Sequence, residues 1–214
     1  GFPEKVKVHY LGNPVRQAVL SKHGSCYIKP GDYPMDLLVI GGSQGAKILS
    51  DIIPKSVSLL SEKLRKNLRI SQQARVEDCI RVSEAYAEMG IRADVKPFFQ
   101  DISERINQAQ LVISRSGASS VADISIIGRP SILVPLAAAI RDEQTANARE
   151  LVESGAAILL PEDQFTPEQV AGQIQTILDD GNRAQNMADA ALACAKPTAT
   201  VDISNMIQDF DRDI

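Results

Sequence analysis

Leu37-Leu38-Val39-Ile40-Gly41-Gly42-Ser43-Gln44-Gly45-Ala46 is the stretch that decides the fold. Four consecutive apolar residues suit a strand buried on both faces, and small residues then turn the chain into a helix expected near 45–65. One such unit is half of a strand–helix–strand repeat. The same grammar recurs at Leu111-Val112-Ile113-Ser114, which runs into Arg115-Ser116-Gly117-Ala118-Ser119-Ser120 and then an apolar helix. It recurs again at Ser131-Ile132-Leu133-Val134, which ends at Pro135.

Working outward, strands are expected at 6–11, 37–40, 68–72, 93–97, 111–114, 131–134 and 157–160. Helical stretches lie between them near 45–65, 78–89, 101–109, 117–127 and 143–154. Alternation of this kind predicts an α/β fold: a Rossmann-like, mostly parallel sheet with helices on both faces. Asp101 with Glu104 reads as a capping box, and Thr166-Pro167-Glu168-Gln169 as another with Pro at the first helical position. No strand is expected after residue 160. The segments 167–180, 182–195 and 199–212 read as a helical tail broken at Lys196-Pro197, and 21–34, with Gly24, Pro30, Gly31 and Pro34, as a loop.

The 214 residues suit one large domain. With 44% hydrophobic and 23% charged residues the chain is of globular type, and at 4% aromatic with no Trp its core must be aliphatic. A net charge of −4 argues against a nucleic-acid binder and against strong attraction to anionic lipid. Cys26, Cys79 and Cys194 form no CxxC pair, which points to a reducing compartment and no zinc site. No apolar run nears the roughly 20 residues that span a bilayer and no signal peptide is visible, so the expected location is cytoplasmic. The chain opens on Gly1-Phe2-Pro3-Glu4 without Met, as expected of a piece of a longer protein.

In a doubly wound sheet, ligands sit beyond the carboxyl ends of the strands. Glycines at 41, 42 and 45 let a backbone approach a ligand, helix-start N–H groups attract phosphate, and Ser43 can bind a phosphate oxygen or cap the helix. A plain tight turn is the alternative. The stretch is neither GxGxxG nor a P-loop. It does match the G-x-S-x-G nucleophile elbow, but a hydrolase triad needs a His after the Ser, and His9 and His23 both precede Ser43. The second turn, Ser116 to Ser119, offers another helix start, and two such turns can hold a diphosphate without a metal. Asp123 stands where an acid can grip ribose hydroxyls, or is a solvated helical carboxylate. Gln144 and Asn147 share a helical face, and their amides both donate and accept, as sugar hydroxyls require. The alternative is a surface helix capped by Asp142. Two DxD patterns, Asp209-Phe210-Asp211 and Asp211-Arg212-Asp213, read as solvated acids after the last helix and not as a metal site.

Gly12-Asn13-Pro14-Val15-Arg16, the two Gly-rich turns and Asp142-Glu143-Gln144-Thr145-Ala146-Asn147 together resemble, in order and spacing, the MurG family of N-acetylglucosaminyltransferases. That family converts lipid I to lipid II in bacterial peptidoglycan synthesis, in cell-wall biogenesis, cell shape and division. The resemblance implies a two-domain GT-B fold of which this chain is the C-terminal, donor-binding domain. It implies an opening segment at 1–34, a UDP-sugar domain at 35–195 and a C-terminal helix and tail at 196–214. By the match, Arg16 and Ser43 would bind the donor diphosphate with the turn Ser116-Gly117-Ala118-Ser119, and Asn13, Gly42 and Gln44 would be further donor-binding residues. Phe98 and Phe99 would border the uracil, Asp123 would take the ribose, and Gln144 with Asn147 the sugar hydroxyls. Asp123 replaces the family's usual Glu, and Glu143 stands where His or Gln is more familiar. No cofactor or metal is implied. Catalytic residues, the lipid-linked muramoylpentapeptide acceptor site and the peripheral contact with the inner face of the membrane would belong to the other half. The alternatives are half of a UDP-sugar 2-epimerase, for which Asp142 and Glu143 are the candidate acids, and a non-catalytic nucleotide-sugar-binding module.

Overall fold

The computed structural model describes residues 8–42, 46–137 and 142–212. Six strands form one sheet: β1 Met35–Ile40, β2 Leu68–Gln73, β3 Arg92–Lys96, β4 Leu111–Arg115, β5 Ser131–Val134 and β6 Ala157–Leu159. Their order is β3-β2-β1-β4-β5-β6 and every pairing is parallel. Around them lie α1 Gln17–Leu20, α2 Lys47–Ser58, α3 Glu62–Asn67, α4 Cys79–Glu88, α5 Ile102–Gln108, α6 Ala118–Ile127, α7 Glu143–Glu153, α8 Pro167–Leu178, α9 Gly181–Ala193 and α10 Ala199–Arg212. This is the expected Rossmann-like parallel sheet, followed by the expected helical tail.

The continuous apolar runs follow from a sheet covered on both faces. Successive strand residues point to opposite sides, so Leu37 and Val39 join Leu111, Ile113, Ile132 and Val134 in one core with α2, α4 and α8. Leu38 and Ile40 join Val112 and Leu133 in the other, with α5, α6 and α7. Gly128 ends α6 at φ +74°, where an added Cβ would meet Leu192 Cβ at 3.0 Å and the Ala188 carbonyl at 3.3 Å, so only Gly suits the turn.

Three expectations change. Residues 8–11 form no strand: Val8 and Tyr10 are exposed, and Tyr10 instead donates to Glu150 on α7 at 2.8 Å. Held to α7 in this way, the segment pairs with none of the six strands. The helix expected over 45–65 is two helices, because Ser61 accepts from the Leu64 N–H and starts α3 afresh. Within α2, Pro54 cannot donate to the Ser50 carbonyl, which accepts from Arg81 at 3.4 Å instead. Asp101 does not cap α5 with its side chain; its carboxylate takes the Arg105 guanidinium at 2.9 Å. The Thr166 cap stands, accepting from the Gln169 N–H at 3.3 Å, and Pro167 follows it at the helix start.

Candidate functional site

Sheet order turns between β1 and β4, whose neighbouring carboxyl ends open the crevice of a doubly wound fold. Gly41 and Gly42 leave β1 there, and Ser116 and Gly117 leave β4. Gly42 has φ +83°, a left-handed conformation that spares glycine the strain a Cβ brings. The Gly41 N–H donates to Gln73 Oε1 at 3.2 Å, and Gln73 Nε2 donates to the Pro97 carbonyl at 3.0 Å. One buried amide therefore ties together the ends of β1, β2 and β3.

Among the described residues, three cavities follow this edge in a row. The largest, about 600 Å³, lies between Gly41, Gly42 and Lys47 on one side and Arg115, Gly117, Ala118, Ser119 and Gln144 on the other. A second, about 380 Å³, holds Arg16, Phe98, Phe99 and Asp123. These two meet, sharing Gly42, Ser119 and Ser120. The third, about 310 Å³, holds Asn13 and Asn147 and adjoins the first at Ala118.

The expected residues thus divide. Ser43 and Gln44 lie outside the described residues, as does Arg141. In the second cavity, Phe98 stands exposed at the rim, whereas the Phe99 ring is buried with the Arg105 guanidinium 4.1 Å above it. A buried ring leaves Phe99 only its backbone to offer. Asp123 is buried on α6, not solvated, and its Oδ2 accepts from Arg16 at 3.0 Å. Burial raises the Asp123 pKa above its ordinary value, while the Arg16 hydrogen bond and charge pull it back down.

Gln144 lines the largest cavity and accepts the Leu136 N–H at 3.0 Å through its Oε1, which leaves its NH₂ to face a ligand. Asn147 lines the third cavity instead and donates to the Ser116 carbonyl at 3.1 Å. Ser116 Oγ is fully buried and has no hydrogen-bond partner among the described residues. Asp142 takes φ 54° just before α7, and its side chain caps nothing. Asp209 and Asp211 fall inside α10 instead of after the last helix, and Asp213 lies outside the described residues. Among the described residues no cluster of three His, Cys, Asp or Glu could hold a metal ion, and no helix is long and apolar enough to cross a membrane.

Three cations at the largest cavity escaped the sequence reading. Lys47 begins α2 and Arg75 follows β2, both exposed. Arg115 is buried, bound to Glu162 at 2.5 Å and to the Val134 and Pro135 carbonyls, so it fastens the ends of β4 and β5 to the loop after β6. The strand-end rule that found the two Gly-rich turns, applied to β2, would have pointed to Gln73 and Arg75. The cavity carries net positive lining in a chain of charge −4, which suits an anionic ligand.

The family model "Glycosyltransferase family 28 C-terminal domain" matches residues 36–204. A Rhizobium etli protein named UDP-N-acetylglucosamine--N-acetylmuramyl-(pentapeptide) pyrophosphoryl-undecaprenol N-acetylglucosamine transferase is 43% identical over 199 residues, 92% of this chain and 53% of its own length. A protein of the same name from Mesorhizobium japonicum is 45% identical over 189 residues, 88% of this chain and 50% of its own. The chain spans about half the length of the curated relatives it matches. Among solved structures, Acinetobacter baumannii MurG is similar at a TM-score of 0.79 with 32% identity, over 97% of this chain and 58% of that one. A putative UDP-N-acetylglucosamine 2-epimerase from Listeria monocytogenes shares the fold at a TM-score of 0.63 with 16% identity, over 94% of this chain and 49% of that one.

Proposed function

Since the chain belongs to the glycosyltransferase family 28 C-terminal domains, we propose that it is the donor-binding half of an inverting N-acetylglucosaminyltransferase. In this reading the donor is UDP-N-acetylglucosamine and the acceptor a lipid-linked muramoylpentapeptide, held by the remaining half at the inner face of the membrane. The observation that carries it is the joined pair of cavities across the β1/β4 switch point, one with an aromatic rim and a buried acid, the other cationic.

Residues 35–195 hold the donor. Uridine occupies the smaller cavity, its base against Phe98 and the Phe99 backbone and its ribose on Asp123. The diphosphate lies where the cavities meet, at Gly42 and the start of α6, where free N–H groups and the helix dipole favour negative charge, and Ser43 and Gln44 are further ligands in this reading. Arg16, Lys47 and Arg75 add positive charge, so binding needs no metal. The sugar reaches Gln144, with Asn147 holding the Ser116 turn from behind. In transfer, a C4 hydroxyl of the muramoyl sugar gives its proton to a base of the remaining half and attacks C1 of N-acetylglucosamine from the face opposite the diphosphate. The C1–O bond to the diphosphate breaks, and the cations and helix start stabilise the departing UDP.

The 2-epimerase structures share only the fold at this identity, whereas the transferases stand at 43% and 45%. Calorimetric titration of this chain tests the proposal. UDP and UDP-N-acetylglucosamine should bind more tightly than GDP, with affinity unchanged in excess EDTA. Equal affinity for GDP would remove the uridine assignment, and a large loss in EDTA would remove the metal-free one.

A further inference from the structure

Resting on the donor-site reading, we infer that Arg16 is a positioning residue for the ribose: its 3.0 Å bond to Asp123 fixes the carboxylate that takes the ribose hydroxyls, so ribose and diphosphate recognition share one ion pair.

The pair is asymmetric. The Asp123 side chain is 10% exposed and that of Arg16 is 62%. An ion pair with one partner so exposed contributes little to folding, while a buried carboxylate costs stability. Such a carboxylate at a cavity wall is better explained by a ligand than by the fold. Asp123 Oδ2 takes Arg16, and Oδ1 receives no hydrogen bond from any described residue. Both residues line the same cavity.

Arg16 is well placed to act as a fixed arm. Its carbonyl accepts the Val19 and Leu20 N–H groups at 2.9 and 3.1 Å, and fully buried Val19 seats α1 in the core. Its backbone is therefore anchored while its head is free to reach. A guanidinium carries five N–H donors in a rigid fork, so one edge can hold Asp123 while another meets a phosphate oxygen. An Arg that served the phosphate alone would leave ribose recognition untouched when removed. An Arg that aims Asp123 would not.

The test is selectivity for the 2′-hydroxyl, read as the ratio of the Kd for 2′-deoxy-UDP to that for UDP, with inorganic pyrophosphate as a third ligand. The unmodified chain should prefer UDP by about tenfold or more, the size expected of a hydrogen bond to a charged group. Asp123→Asn should bring the ratio near one and leave pyrophosphate affinity unchanged. Arg16→Ala should also bring the ratio near one while weakening pyrophosphate, and Arg16→Lys should restore part of both. The double variant Arg16→Ala/Asp123→Asn should show no further loss of the ratio. If Arg16→Ala weakens UDP and 2′-deoxy-UDP equally, the inference is overturned and Arg16 serves the phosphate only. Should Arg16→Ala fail to fold by thermal melting, Arg16→Gln decides by the same ratio. An unmodified chain that binds UDP and 2′-deoxy-UDP alike overturns the ribose role but leaves the donor site standing. One that binds no UDP overturns both.

Discussion

Asn147 on α7 donates its side-chain amide to the Ser116 carbonyl at the end of β4, 3.1 Å away. The bond crosses from one βα unit to the next and pins the turn that opens α6. Replacing Asn147 with Ala removes that brace, at a cost of about 1 kcal/mol in stability. The larger effect should fall on ligand binding, because the turn then samples positions in which its N–H groups miss the diphosphate. UDP affinity should drop about fivefold, with a melting temperature only a few degrees lower. Calorimetry beside a thermal melt checks this, and an unchanged UDP affinity would show that the turn holds itself.

Lys47 and Arg75 stand exposed at the cationic cavity. Neutralising either with Gln should weaken UDP about two- to fivefold and flatten its dependence on salt, since exposed charges act through a screened field. Binding of uridine, which carries no phosphate, should stay as it was. Equal losses for uridine and UDP would mean that these residues support the loop and not the anion.

Much of this was written in the sequence. Near-continuous apolar runs gave β1, β4 and β5 as strands buried on both faces, and small residues after β1 and β4 marked the crevice. Residues 8–11 misled because a short apolar run shows that a strand could form and not whether the sheet takes it in; Tyr10 bonds Glu150 on α7 instead. The partners of Gln144 and Asn147 were out of reach for another reason. Their spacing shows a shared helical face, but Leu136 N and Ser116 O arrive from the ends of two different strands. Lys47, the first residue of α2, carries no signal of its own, because an exposed cation gains meaning only from what faces it. The burial of Asp123 was hidden because α6 is packed on both sides, against α5 and α7, so no polar stripe marks its outer surface.

Arg129 is a fully buried cation far from the ligand face. Its guanidinium gathers the carbonyls of Asn107, Ile127 and Gly128 at 2.6 to 3.0 Å, and so neutralises the negative ends of α5 and α6 together. Burial draws its pKa down to about 10, which leaves it charged at neutral pH. Arg129→Met fills similar space but strands those carbonyls without donors, at a cost of roughly 2–4 kcal/mol. Denaturant unfolding should show a lower midpoint with an unchanged slope. A loss below about 0.5 kcal/mol would mean that water replaces the guanidinium at no cost.

Asp123 yields the last prediction, in which stability and binding move in opposite directions. Burial raises its pKa in the folded protein above the ordinary 3.8, against the opposing pull of Arg16. A group that holds its proton more tightly when folded contributes stability fully below its unfolded pKa, and that contribution is lost as pH rises through the folded value. At neutral pH the ionised carboxylate is therefore a burden on the fold. Asp123→Asn keeps the shape and removes the charge, and the Arg16 head it releases is largely solvated, so little is left stranded. The variant should match or exceed the unmodified chain in melting temperature at about pH 7, and the difference should shrink toward about pH 3, where Asp123 is protonated in both states. UDP affinity should fall at the same time, as expected where a site holds a group the fold would do better without. Melting curves across that pH range, paired with UDP titration, give the answer. A variant less stable at neutral pH than at acid, relative to the unmodified chain, would show that the Arg16 pair outweighs the cost of burying the charge.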